Sequence, residues 1–400
     1  MRNTWEFYST EKIVFGIGAI RQLDSVLTRL KAKNILLVTD PGIKQAGIAD
    51  RVVAILQEAD YQVVVYDKAV PEPPVETALE CFQFAKDQMN TDAVIGLGGG
   101  SSIDLAKVVA LLMAHGGHPL DYFGENLVPG PIAPLIAIPT TAGTGSEVTS
   151  VAVLTDVENN IKVGISDNYL RPAVALLDPE LTVGLPPYVT ACSGIDALSH
   201  AIEAYTAKNF KYIQAEGSIL FQGSIPISDT LALEAIELIV QNLPLAVHQG
   251  SNLEARSNML LGSLLAGMAF SNAGTAAAHA LAYPIGGLVK SPHGEVTGLL
   301  LPYVMEFNVE VEPKKMAKIA RACGIDPTGA SERELALEAP KAILRLLEVI
   351  GLPTRLSQIG IKEDQIPQIA EKALPILRLV RNNPRVPTQQ GFEELLRKAL

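Results

Sequence analysis

Six histidines occur in 400 residues, and three of them, His200, His279 and His293, fall in the half of the chain that reads as helical, beside a helical aspartate, Asp196. In Ser193-Gly194-Ile195-Asp196-Ala197-Leu198-Ser199-His200-Ala201-Ile202-Glu203, Asp196 and His200 are four apart, so they share a helix face and could grip one ion. His279 stands in an apolar helix-like run, Ala276 to Tyr283, and His293 sits in Ser291-Pro292-His293-Gly294, at a loop or helix start. Imidazole and carboxylate donors without thiolate suit Fe(II) or Zn(II). Spacing alone leaves plainer alternatives open. An Asp-x-x-x-His pair is commonly a surface pair, and a histidine in an apolar helix is often a hydrogen-bonded core residue. His115 and His118 also have ligand-like spacing but lie in a Gly-rich turn with no local acid, and they read as solvent-exposed; His248 has no evident partner.

Two other segments suit anions and sugars. A strand-like run, Asp92 to Leu97, leads into Gly98-Gly99-Gly100-Ser101-Ser102-Ile103-Asp104 and then a helix-like stretch. Glycines let backbone N–H groups approach a pyrophosphate, and a helix start adds its positive dipole end. This is not the common Gly-x-Gly-x-x-Gly fingerprint, because Ile103 stands where the third glycine should be. A tight turn that binds nothing is the plainer alternative. It is weakened by Pro139-Thr140-Thr141-Ala142-Gly143-Thr144-Gly145-Ser146-Glu147, which again follows a strand and offers hydroxyls and glycines; two such loops at strand ends suggest one shared ligand. Asp40, ending Val38-Thr39-Asp40-Pro41-Gly42, could accept from an adenosine ribose and would repel a 2′-phosphate, favouring NAD over NADP. As an isolated residue it reads more readily as an ordinary turn aspartate before Pro-Gly. Gly16-Ile17-Gly18 lacks a third glycine at Arg21 and reads as turn chemistry.

The elements that must carry these residues change character along the chain. Short β-branched runs at 34–38, 62–66 and 92–96 alternate with helix-like stretches at 44–59 and 76–89, and further strand candidates follow at 135–138, 148–154, 162–165 and 173–177. That order predicts a largely parallel α/β sheet. After Leu185-Pro186-Pro187 the pattern turns helical, as in 229–241, 251–270 and 335–350. Two domains are therefore expected, an α/β domain over 1–185 and an all-α domain over 186–400, in keeping with a length that exceeds one core. No apolar run approaches the roughly 20 residues of a bilayer span. The N-terminal residues lack the features of a secretory signal, and three scattered cysteines suit reduced thiols, so a cytoplasmic protein is expected. A net charge of −11 without a basic stripe argues against nucleic acid.

Taken together, the 98–104 and 139–147 loops, Asp178-Pro179-Glu180, the Gly194 to Tyr205 helix and Ser291-Pro292-His293-Gly294 appear in the order found in the iron-dependent, group III alcohol dehydrogenase family, which this chain resembles over nearly its whole length. Relatives include lactaldehyde reductases and propanediol and butanol dehydrogenases. The resemblance implies a dehydroquinate synthase-like architecture: an N-terminal nucleotide-binding α/β domain, a C-terminal helical metal-binding domain, and an active-site cleft between them. It assigns the metal, Fe(II) foremost with Zn(II) as the alternative, to Asp196, His200, His279 and His293. It places Asp40 near the adenosine ribose, Gly98, Gly99, Gly100, Ser101 and Asp104 near the pyrophosphate and nicotinamide side, and Thr140, Thr141, Thr144 and Thr149 along the cofactor. Lys162 and Leu181 are weaker transfers. Many family members carry a second histidine one turn after the third ligand, where this chain has Tyr283; a proton route through Tyr283, water or ribose hydroxyls replaces it. The stretch 210–228 looks longer than the family's usual connection.

The expected reaction is hydride transfer between NAD(H) and a small primary alcohol or diol, or the matching aldehyde, with the metal as Lewis acid. Phe270, Leu281 and Tyr283 are the candidates to line the substrate. The rival is a non-redox metal- and NAD-dependent lyase of the dehydroquinate synthase type, which would need a basic cluster for a phosphorylated substrate; the segments around the metal residues are apolar and small instead. Neither nucleic acid nor membrane is an expected partner, and a homodimer or higher homo-oligomer is.

Overall fold

The computed structural model describes residues 1–158, 161–214 and 219–400. It divides into two compact units, Tyr8–Gly184 and the helical Leu185–Leu400, which also takes in Met1–Phe7. The N-terminal residues join the helical unit through Gln222, which accepts from the Glu6 amide at 2.9 Å and donates to the Glu6 carbonyl at 2.9 Å.

The first unit contains β1 (Lys12–Phe15), β2 (Asn34–Val38), β3 (Gln62–Tyr66), β4 (Ala93–Gly98), β5 (Gly124–Glu125), β6 (Leu135–Pro139), β7 (Val151–Asp156), β8 (Ile161–Ser166) and β9 (Val174–Leu177). Six of them form one sheet in the order β1-β9-β6-β4-β2-β3, parallel throughout. A small sheet, β5-β8-β7, pairs β7 and β8 antiparallel. The central strands are continuous apolar runs because both faces are covered. Side-chain alternation sends Leu36, Val38 and Val94 into one core with the Val75–Gln88 and Gly100–His115 helices, and Ile35, Leu37, Ile95 and Leu97 into the other with the Leu23–Leu30 and Ile48–Glu58 helices. After β3 the chain returns across β2 to lay down β4, so the strand order reverses between β2 and β4. In open α/β sheets the carboxyl ends at such a reversal are where ligands bind; here those ends are Asp40 and the Gly98 loop.

Several element boundaries differ from expectation. The stretch 44–59 is two helices, Pro41–Gln45 and Ile48–Glu58, broken at Gly47. The strand expected from Val148 starts at Val151, because the Val148 amide closes a turn on the Gly145 carbonyl at 3.0 Å. Strands β1 and β5 are additions to the expected set, and β5 is only two residues long.

In the second unit, the helices Pro187–Thr206, Pro226–His248 and Leu253–Ala273 pack on one another, and Ala277–Gly286, His293–Asn308, Ile366–Ala373 and Gln389–Ala399 share a second core around Leu281, Leu300 and Phe392. By length and composition Pro226–His248 could reach across a bilayer; Ala232, Ala235, Ile236, Ile239 and Leu243 are instead packed inside this unit. The apparent insertion 210–228 includes 215–218, which lie outside the described residues; its described part packs Leu220 and Phe221 inward and binds the end of the Leu253–Ala273 helix through the Gln222 and Gly223 amides. All three cysteines are free thiols, Cys81 and Cys192 buried and Cys323 half-buried.

Candidate metal centre and cofactor loops

The Pro187–Thr206 helix starts on a proline, whose missing N–H costs nothing in the first turn. Its buried face presents Asp196 and His200 with the two nitrogen and oxygen atoms 3.8 Å apart. Two other helices bring imidazoles to the same carboxylate: His279 Nε2 is 4.0 Å and His293 Nε2 3.9 Å from Asp196 Oδ1. The approach of the His293–Asn308 helix requires Gly294, since a methyl group there would lie 2.1 Å from the Cys192 carbonyl oxygen and 2.9 Å from Asp196 Cβ. His200 stacks on Phe270, at 4.2 Å between centroids, and on His279, at 4.8 Å.

Electrostatics prepares these groups as donors. Burial works to raise the Asp196 carboxyl, but the surrounding imidazoles and the Thr297 hydroxyl, which donates to Oδ1 at 2.8 Å, hold it below the usual carboxylate range. Burial drives His200 down to about 4, with the neighbouring histidines assisting and Asp196 opposing, so its ring is neutral. For His279, burial lowers the value and the Glu203 carboxylate more than restores it.

A divalent cation suits this donor set on evidence internal to the fold. Among the described residues the buried His279 Nε2 has no hydrogen-bond partner, and the donor atoms of Asp196, His279 and His293 lie within 4.8 Å of one another. The three 3.8 to 4.0 Å separations fall inside the span of about 4.4 Å that two ligands of one ion can bridge at roughly 2.2 Å each.

At the sheet's reversal point the two Gly/Thr loops interlock. Gly98 has φ +148°, and a methyl group on it would lie 2.6 Å from Ser102 Oγ and 3.1 Å from Asp40 Oδ2; one on Gly100 would lie 2.7 Å from Thr144 Cγ2, and one on Gly99 would touch Thr141 at 3.6 Å. Asp40 caps the Pro41–Gln45 helix, accepting from the Gly42 and Ile43 amides, and its other oxygen accepts from Ser102 at 3.2 Å. The turn aspartate and the loop-facing carboxylate are thus one residue. The Gly100–His115 helix starts within the loop, leaving first-turn amides, including that of Ser101, without helical acceptors. Among the described residues, Thr140 Oγ1 and Thr39 Oγ1 are buried there with no partner. A glycine cradle, a helix start and orphaned hydroxyls fit a dinucleotide.

Four expected cofactor residues have partners within the protein. Asp104 accepts from the Ser146 hydroxyl and, at 3.0 Å, from the Val153 amide, with Lys107 4.0 Å away. Thr149 accepts at 2.9 Å, through both its hydroxyl and its carbonyl, from the fully buried Lys107. Lys162 pairs with Glu72 at the surface, and the Leu181 side chain is part of the core with Ile20 and Leu23. Leu281 is likewise a core residue. His115 and His118 are half-buried rather than exposed: His115 faces the Gly130 and Pro131 carbonyls, and His118 caps a turn whose Asp121 is the acid overlooked in the sequence. His248 pairs with the Val349 carbonyl at 2.8 Å. Lys107, Thr297 and Glu203 were missed. A lone charge in the apolar run 105–112 marks Lys107, and the 196/200/203 spacing puts Glu203 on the face of the ligands.

Residues 10–179 match the model of the iron-containing alcohol dehydrogenases, and 190–400 match that of the C-terminal part of the Fe-containing alcohol dehydrogenase family. The chain is 42% identical to long-chain-alcohol dehydrogenase 1 of Geobacillus thermodenitrificans (strain NG80-2), over 94% of this chain and 93% of that one. It is 37% identical to the NAD-dependent methanol dehydrogenase of Bacillus methanolicus, over 98% and 99%. Among solved structures, a 1,3-propanediol oxidoreductase superposes with a TM-score of 0.93 at 36% identity, with 100% of both chains covered. A sulfoacetaldehyde reductase from Bifidobacterium kashiwanohense in complex with NAD+ superposes with 0.86 at 30% identity, covering 100% of this chain and 99% of that one. These relatives are oxidoreductases, and the lyase alternative gains no support from them. The chain belongs to the iron-containing alcohol dehydrogenase family and is a metal-dependent, NAD(H)-linked oxidoreductase of alcohols and aldehydes.

Proposed function

We propose that Asp196, His200, His279 and His293 hold the catalytic divalent cation, and that Asp40, Gly98 to Ser101, Thr140, Thr141 and Thr144 hold NAD, so that 1–185 serves as the dinucleotide domain and 186–400 as the metal and substrate domain. The observation that carries this is the convergence of three imidazoles on one buried carboxylate, with His279 Nε2 left without a partner. When bound, the cation supplies Lewis-acid polarisation of the alcohol or carbonyl oxygen, and the nicotinamide accepts or donates the hydride. Fe(II) is favoured and Zn(II) is the alternative. Asp40 disfavours the extra phosphate of NADP by charge repulsion. Asp104 and Thr149 act on the cofactor indirectly, by bracing the 139–149 loop against the Gly100–His115 helix through Ser146 and Lys107.

Tyr283 takes the proton-handling position. Its hydroxyl accepts from Arg378 at 3.0 Å, which leaves its own hydrogen available to donate, and its ring lies 6.2 Å from that of His293. The substrate is a primary alcohol or diol and its aldehyde, with Phe270, stacked on His200, as an apolar wall. A cytoplasmic homo-oligomer is the form we propose; the free thiols suit a reducing compartment and the charge of −11 disfavours nucleic acid. The test is NADH formation with a panel of primary alcohols and diols, before and after removal of metal by chelator and after return of Fe(II) or Zn(II). Turnover should vanish on stripping, return with metal, and fall in His279→Ala on the order of a thousandfold or more, corresponding to several kcal/mol of lost electrophilic stabilisation. Full activity in the stripped enzyme or in that variant would sink the assignment.

A further inference from the structure

The helix that carries His279 has no cap of its own. The Leu253–Ala273 helix ends at Gly274, the chain bends by 98°, and Ala277–Gly286 begins from Ala276, whose methyl side chain cannot bind the first amides. Those amides are served from another helix. Glu203, 2% exposed on Pro187–Thr206, accepts from the Ala276 amide at 3.0 Å, the Ala278 amide at 2.6 Å and His279 Nδ1 at 2.5 Å. A carboxylate is the fitting group at a helix start, where it meets the positive end of the dipole. Both of its oxygens already accept backbone amides, so in the 2.5 Å contact it is Nδ1 of His279 that carries the hydrogen. The lone pair is then confined to Nε2, the atom that has no hydrogen-bond partner and lies 4.0 Å from Asp196 Oδ1.

We propose that Glu203 is the positioning residue of the metal centre: one carboxylate sets the start of the Ala277–Gly286 helix and the tautomer of His279 together, so the bend and the ligand cannot be misaligned separately. This rests on the assignment of His279 as a metal ligand. Carboxylates behind ligating histidines orient the ring and raise its basicity, and their loss typically weakens metal binding about 10- to 100-fold.

Glu203→Gln is the informative variant, because an amide has one acceptor oxygen for three donors. In either orientation His279 loses its bond to a charged oxygen; it faces a neutral carbonyl or an N–H that drives it to the other tautomer. Zinc affinity, read by chelator competition, should fall about 10- to 100-fold, while the circular dichroism of the metal-free protein is unchanged and Glu203→Asp recovers part of the loss. Affinity within threefold of wild type in Glu203→Gln would overturn the proposal. His279→Ala separates the two assignments: undiminished zinc affinity there removes His279 from the site, whereas loss there with none in Glu203→Gln removes only the role of Glu203. Wild-type protein labelled with 15N-histidine and loaded with zinc tests it even where variants fold poorly. The resonance absent in His279→Ala must show a proton on Nδ1, and an unprotonated Nδ1 would refute it.

Discussion

Tyr283 is the residue of the proposed site that stands where the family resemblance implies a histidine. Its hydroxyl is fixed by Arg378, and its ring lies beside that of His293 with centroids 6.2 Å apart. Tyr283→Phe should therefore leave metal stoichiometry unchanged while kcat falls on the order of a hundredfold, the usual scale for loss of a positioned proton donor. Metal content by atomic emission and steady-state NADH kinetics check both halves. Unchanged kcat would assign the proton to water or to the ribose. Identifying Asp196 and His200 as a pair required nothing beyond helical spacing. Glu203 obeys the same spacing but looks like any helical glutamate until the fold sets three donors against it. Lys107, Asp104 and Thr149 show the converse. Each is in a segment that suits a cofactor, and each is turned inward by a network that no linear pattern displays.

At the scale of elements, two close approaches set the sites. Gly294 lets the His293–Asn308 helix meet Pro187–Thr206, so Gly294→Ala drives a methyl group into the Cys192 carbonyl. Overpacking of this kind costs about 1 to 3 kcal/mol, and we expect a lower Tm together with weaker metal binding, because His293 moves with its helix. Gly98→Ala should act on the other ligand. Its methyl group would collide with Ser102 and its φ of +148° is one that alanine rarely adopts, so NAD affinity should fall while zinc affinity is unaffected. Isothermal titration with each ligand separates the two outcomes. A Gly98→Ala variant that binds NAD as wild type does would remove this loop from the cofactor site.

The whole molecule carries one further electrostatic consequence of its fold. Glu147 is buried with one carboxylate oxygen unpartnered, and burial pushes it up to about 7, its backbone amide and Lys107 offsetting only part. An unfolded glutamate titrates near 4.3. Between those values the folded state binds more protons, so this group's contribution to stability is full at the acid end and is lost as pH rises through about 7. Urea midpoints of the metal-free protein at pH 5 and pH 8 should shift in favour of Glu147→Gln, relative to wild type, at the higher pH. A difference independent of pH would show that Glu147 does not titrate in that window.

What the sequence determined by itself was periodicity and local chemistry: a parallel α/β pattern giving way to helices near Leu185, glycine and hydroxyl loops after strands, and an Asp-His pair on one helix face. These are properties of neighbouring residues, set by backbone geometry over a few positions. Family resemblance, and not spacing, supplied His279 and His293. The tertiary structure decided what lies far apart in the chain. It brought His279 and His293 within 4.0 Å of Asp196, set Asp40 against the Gly98 loop, and turned Asp104, Thr149 and Leu181 inward. The physical reason is packing: whether a polar group faces a ligand or a buried partner depends on which helices and strands cross it, and those crossings are selected by the close fit of the whole core.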